Sequence, residues 1–410
     1  MAGLSLCAAL ALVALAVVAL IDRPGDEPCC APPPVPRANP AGAVAALHDL
    51  VGAVDERDEQ AAAGLAPVGD RQAASLLSAV ARNARVLDLR DVSARYVTEV
   101  GTVDRSGAWS AVVAVTWRIH GFDETSARSE VLVSFAPDGT GGGGVAITGF
   151  GGEAVPGRRT PLWLQGGLAV VRMSGPRVLV LAHGPRSTAR ATADRVRRGI
   201  RVVRRTLPGW ADATVVEVPR GAAALDETLG VRPGTYADIA AVTAAVDGTA
   251  RRRTPVHVFV NSEVSDGLRP AGAQVVMSHE LTHLATDAVR STVEPWLLEG
   301  FADWVALRQV RLPETLTLGR ALASVRRDGV PARLPGRAEL DTRAADLQAA
   351  YEQAWLACRI LAERVGADAL VRLYQRVDAG APLAVELRLA GLSEPALLRA
   401  WQRRLRGLAG

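Results

Sequence analysis

The chain of 410 residues contains no lysine, so all 47 of its basic side chains are arginine. Against 43 acidic residues they leave a formal net charge of +4, which over this length does not argue for a nucleic-acid partner. The clusters Arg197-Arg198, Arg204-Arg205 and Arg251-Arg252-Arg253 read as solvated faces, and none is expected to bind nucleic acid. Cysteine is scarce: Cys7, the vicinal pair Cys29-Cys30 and Cys358 make no disulfide framework. The vicinal pair suits acylation or an inter-chain bridge no better than it suits having no role. Histidine is missing altogether beyond His283, which limits where any imidazole chemistry can lie. With 49% hydrophobic and 22% charged residues the chain is not a disordered one, and it is long enough for two or three domains with cores of their own.

One long uncharged apolar run is present, Leu4 to Ile21. It is long for a signal-peptide core and just long enough to span a bilayer. Asp22, Asp26 and Glu27 outweigh Arg23 behind it, which favours the N-terminus inside and the remainder outside. A cut after Ala31 would precede Pro32, an unfavourable cleavage site. The expectation is a signal anchor over residues 1–23, single-pass in the cell membrane with the rest of the chain extracytoplasmic; a cleaved signal and a secreted product is the alternative. Residues 24–40 read as a proline-rich linker.

An α+β region follows over 41–155. Helical runs at Gly42 to Gly64 and Asp70 to Arg85 precede strand-like runs at Val92 to Val100, Trp109 to His120, Ser129 to Ala136 and Val145 to Phe150. In element order alone this region resembles the nuclear-transport-factor-2-like cone fold, and a spacer or substrate-presenting role is expected of it. From 165 to 410 a new pattern begins: a strand at Val178 to Ala182, a helix at Ser187 to Thr206, a strand at Thr214 to Val218, a helix at Ala222 to Leu229, and paired strands at Ile239 to Val246 and Val256 to Val260. From about residue 313 the periodicity is helical, which predicts a helical subdomain closing one side of a cleft.

Within that second region, His279 to Asp303 carries the chemistry. His279 and His283 stand four apart in Val275 to Leu284, an apolar, breaker-free run that predicts a helix with both imidazoles on one face. Two such rings can bind zinc, and Glu280 between them is placed to take a proton from a metal-bound water. A third ligand is then required. Position 289 is Val289, which excludes a metzincin-type third His, so the ligand must be a carboxylate: Asp287, Glu294 or Glu299. Asp287 would have to bend back along its own helix and Glu294 falls in the connecting loop before Pro295. Glu299, opening a second helical run from Trp296 to Arg308, is the better choice, and Asp303 one turn later is spaced to accept the other ring N–H of His279.

The sequence H-E-L-T-H followed by W-L-L-E-G-F-A-D resembles the gluzincin zinc metallopeptidases, most of all the bacterial peptidase-MA-like group. The resemblance implies one zinc ion held by His279, His283 and Glu299, Glu280 as general base, and Asp303 orienting a ligand His. It also implies a mixed sheet before the zinc helix with an edge strand that pairs with an extended peptide or protein substrate; Val256 to Asn261 occupies the matching place. The Gly-x-Met-Glu-Asn motif of the related aminopeptidases is missing, which leaves exopeptidase specificity open. Tyr351, in Y-E-Q-A-W-L, resembles the Tyr that supports the oxyanion in those enzymes; packing of its ring in the helical core is the alternative. The function expected is zinc-dependent peptide hydrolysis outside the cytoplasm. The alternative is an inactive zinc-containing surface protein that binds peptide or cell-wall polymer.

Overall fold

The computed structural model describes residues 37–410 apart from 153, 211, 212 and 311. The expected membrane anchor, most of the linker and Cys29-Cys30 lie outside the described residues. Among those described, no helix is long and apolar enough to cross a membrane.

The chain is mixed α+β, with two sheets and many helices. Three helices come first: α1 (Pro40–Glu56), α2 (Glu59–Ala63) and α3 (Arg71–Leu87). The sequence reads the first two as one run, but Arg57 turns left-handed at φ 63° and Asp58 accepts from the amides of Gln60 and Ala61, capping a new helix. Asp70 caps α3 in the same way. The strands β1 (Leu89–Val100), β2 (Trp109–Ile119), β3 (Ala127–Pro137) and β4 (Val145–Phe150) then form an antiparallel meander in sequential order. On β3 the residues Val131, Val133 and Phe135 alternate inward onto the helices.

A second sheet has the order β5-β6-β7-β9-β8. It is built from β5 (Ala169–Ser174), β6 (Arg177–Ala182), β7 (Thr214–Val218), β8 (Ala241–Ala245) and β9 (Val256–Val260). The three inner strands β6, β7 and β9 are parallel, and the outer two are antiparallel to their neighbours. Strand β5 is an addition to the sequence reading. A correction concerns the edge: Val256 to Asn261 was the expected edge strand, yet β9 lies inside the sheet. The β8–β9 hairpin places β9 against β7 and leaves β8 outermost.

One face of this sheet carries α4 (Arg186–Arg204), whose buried stripe Ala189, Ala193, Val196, Ile200 and Val203 follows helical spacing. The other face, with Leu179, Leu181, Val215 and Phe259, shares a core with the N-terminal helices and meander. Baring four such side chains would cost about 6–12 kcal/mol, comparable to the whole stability of a domain. The two regions therefore hold each other up. Polar contacts reinforce this: the buried His257 on β9 lies 2.7 Å from Glu217 on β7 and 3.0 Å from Asp123 in the loop after β2.

Helix α5 (Ala222–Leu229) joins β7 to β8, and the short α6 (Ser262–Gly267) leads from β9 into α7 (Pro270–Ala285). Next come α8 (Pro295–Leu307), α9 (Glu314–Thr317), α10 (Gly319–Asp328), α11 (Leu347–Val365), α12 (Ala367–Asp378), α13 (Leu383–Leu389) and α14 (Glu394–Ala409). All of these but α9 pack into the same core as α4 and the sheet. Cys358 is a buried free thiol on α11.

Candidate metal centre

Pro270 and Pro295 each stand in the first turn of their helix, where a missing N–H is harmless and the fixed φ suits the entry. Helix α7 runs between α4, α8 and the β8–β9 hairpin, and its stretch from Met277 to His283 is buried all round. Polar residues there need partners. His279 and His283 share one face of α7, while Glu299 and Asp303 share the facing side of α8. The close approach of α8 to α11 depends on Gly300: a Cβ there would lie 2.3 Å from the Ala354 carbonyl oxygen.

The Nε2 atoms of His279 and His283 lie 2.9 Å apart, and Glu299 Oε2 is 3.2 Å from the first and 3.1 Å from the second. Ligands bonded to zinc at 2.0–2.1 Å in a tetrahedral arrangement stand roughly 3.3 Å from one another. The three donors therefore fit one such ion, and among the described residues no fourth His, Cys, Asp or Glu joins them. Of the three carboxylates that the sequence left open, only Glu299 is brought to the imidazoles. Asp287 is exposed and pairs with Arg290, and Glu294 is exposed at the start of α8.

Asp303 Oδ1 is 2.8 Å from Nδ1 of His279, so that ring donates its N–H to the carboxylate and turns Nε2 to the shared position. Burial opposes charging of His279, but Asp303, Glu299 and Glu280 outweigh it and raise its pKa well above the ordinary value. Burial likewise opposes ionisation of Glu299, and the two imidazoles overcome it, holding the carboxyl far below the usual range. Proton and metal thus compete for the same ring nitrogens.

Tyr351 on α11 meets His279 edge-on, with ring centroids 5.9 Å apart. Desolvation and the nearby charges of Glu299, Glu280 and Asp303 raise its pKa well above the usual phenol value, so it stays protonated and able to donate.

Two residues absent from the sequence reading interact with Glu280, one through a hydrogen bond and one through charge. Thr243, on edge strand β8, places its hydroxyl 2.7 Å from Glu280 Oε2. Its signal in the sequence is slight: a hydroxyl residue among Ala and Val in a short strand. Tyr236 sits in the loop before β8, which Asp226 fastens by accepting from the amides of Gly234 and Tyr236. Burial raises the Tyr236 pKa, and Glu280 is among the charges that reinforce the rise. Nothing in the spacing of this loop announces its place.

No family model matches the chain, and no curated protein matches it. One solved structure aligns, a variant of a two-domain M1 zinc metallopeptidase bound to L-arginine, at 12% identity and a TM-score of 0.31. The alignment covers 78% of this chain and 61% of that one, so the chain spans less than two thirds of that neighbour's length.

Proposed function

We propose that this chain is a zinc-dependent peptidase of the gluzincin type. The observation that carries the reading is the convergence of His279, His283 and Glu299 on one position, with Glu280 on the turn between the two imidazoles and Asp303 behind the first. A zinc ion, when bound, supplies Lewis acidity, making water acidic near neutral pH and polarising a carbonyl. His279, His283 and Glu299 would hold it, leaving one side of the site open to substrate. Asp303 keeps His279 in the tautomer whose Nε2 is free to ligate.

Glu280 accepts a proton from the attacking water and passes it to the leaving amine. The protonated Tyr351 donates to the oxygen of the carbonyl as charge builds there. Both roles need groups fixed before substrate arrives, and burial between helices supplies that rigidity. The N-terminal region, read as nuclear-transport-factor-2-like, would brace the sheet behind the site. An N-terminal membrane anchor would place the reaction outside the cytoplasm, on peptide or protein substrates.

The test is to mix the full-length zinc-loaded protein with a diverse peptide library and read the products by mass spectrometry beside Glu280→Gln. Cuts made by the parent and lost in a variant that retains zinc are expected. Equal cutting by both would remove Glu280 from the role of base. No cutting by a zinc-loaded parent would favour a peptide- or polymer-binding protein instead.

A further inference from the structure

We infer that Thr243 is a positioning residue for the Glu280 carboxylate, and this rests on the peptidase reading of the site. Along β8 the side chains alternate: Val242 and Ala244 pack towards the core shared with the N-terminal region, while Ala241 joins the helical core on the other face. Thr243 falls on the face of Ala241, towards α7, and is the polar residue of an otherwise apolar strand. Its hydroxyl lies 2.7 Å from Glu280 Oε2 and 3.0 Å from the Glu280 main-chain oxygen.

A hydroxyl has one proton to give. The shorter, charge-assisted contact to the carboxylate is the stronger of the two. Thr243 is also well suited to hold something still. Its backbone is fixed opposite Val258 in the β8–β9 ladder, and its β-branch restricts χ1. Glu280 has three side-chain torsions, and Thr243 is the hydrogen-bond donor that reaches its carboxylate among the described residues. With Oε2 held from the sheet, the Glu280 carboxylate, on the same helix turn as the two imidazoles, keeps one orientation, as a base that must take a proton requires. The Thr243 hydroxyl bonds to Glu280 and to none of the three converging donors, so its contribution is separable from metal binding.

Thr243→Val keeps the shape and the β-branch and removes the hydroxyl; Thr243→Ser keeps the hydroxyl. In the full-length zinc-loaded protein, Thr243→Val should lower kcat on a cleaved peptide about tenfold to a hundredfold. KM should stay within about twofold and zinc content unchanged, and Thr243→Ser should recover kcat to within about threefold of the parent. Crystals of zinc-loaded Thr243→Val should show the Glu280 carboxylate displaced from its place in the parent. The inference is overturned if Thr243→Val keeps kcat near the parent's while Glu280→Gln is inactive, or if the carboxylate does not move. Should the parent cleave no peptide, the peptidase reading falls by itself, and the Glu280 position in parent and variant crystals still decides the role of Thr243.

Discussion

Asp303 Oδ1 lies 2.8 Å from His279 Nδ1, and on the far side of the same ring Nε2 lies 3.2 Å from Glu299 Oε2. Two carboxylates one turn apart on α8 thus bracket one imidazole from α7. The outer one sets the tautomer and the inner one completes the donor set. Asp303→Asn should weaken zinc binding about 10- to 100-fold in a chelator competition. Glu299→Ala removes a donor outright and should leave the purified protein without stoichiometric zinc. Normal zinc content in Glu299→Ala would move the third ligand elsewhere.

Tyr351 packs edge-on against His279 but is not one of the three converging donors, so removal of its hydroxyl alone should touch turnover and not metal content. For Tyr351→Phe we expect kcat to fall about 10²- to 10³-fold with zinc retained, as for loss of one oxyanion donor. An unchanged kcat would assign the ring to packing against His279 alone.

Gly300 follows the third donor directly, and the space for its Cβ is taken by the main chain of Ala354. Because backbone cannot swing aside as a side chain can, Gly300→Ala should destabilise the protein by about 1–3 kcal/mol. Chemical denaturation of zinc-free parent and variant would measure this without interference from the metal. Equal midpoints would mean that α8 and α11 separate freely.

His257 links the two halves of the molecule through charge. Burial alone would lower its pKa, but Asp123 and Glu217 more than compensate and lift it to about 9. Its unfolded value is near 6.5. A raised folded pKa adds stability that is complete below about pH 6.5 and fades as pH climbs towards 9. Melting of the zinc-loaded parent should therefore lose stability across that window more steeply than His257→Gln. Parallel pH profiles would show that the imidazole is not charged between its two carboxylates.

Much of the candidate site could be read directly because helical spacing is local. Four-residue intervals place His279 with His283 and Glu299 with Asp303 whatever surrounds them, and Pro295 in the first turn of α8 marks the start of that helix. The same holds for strands with clear alternation, such as β2 and β3. The break between α1 and α2 was less legible, since a left-handed Arg57 is decided by the cap that follows it.

By itself, then, the sequence determined which residues share a helix face, where the helix carrying Glu299 begins, and that an antiparallel sheet precedes a region of alternating strands and helices. Tertiary structure decided which strand is the edge, that the N-terminal region shares its core with the second sheet, that Thr243 meets Glu280, and that His257 bridges Asp123 and Glu217. The reason is range. Periodicity and capping act over one or two turns of chain, whereas strand order and cross-sheet contacts follow from burying apolar faces contributed by segments far apart in sequence. A threonine in an alanine-rich strand acquires its meaning only when a glutamate thirty-seven residues later is brought against it by helix packing.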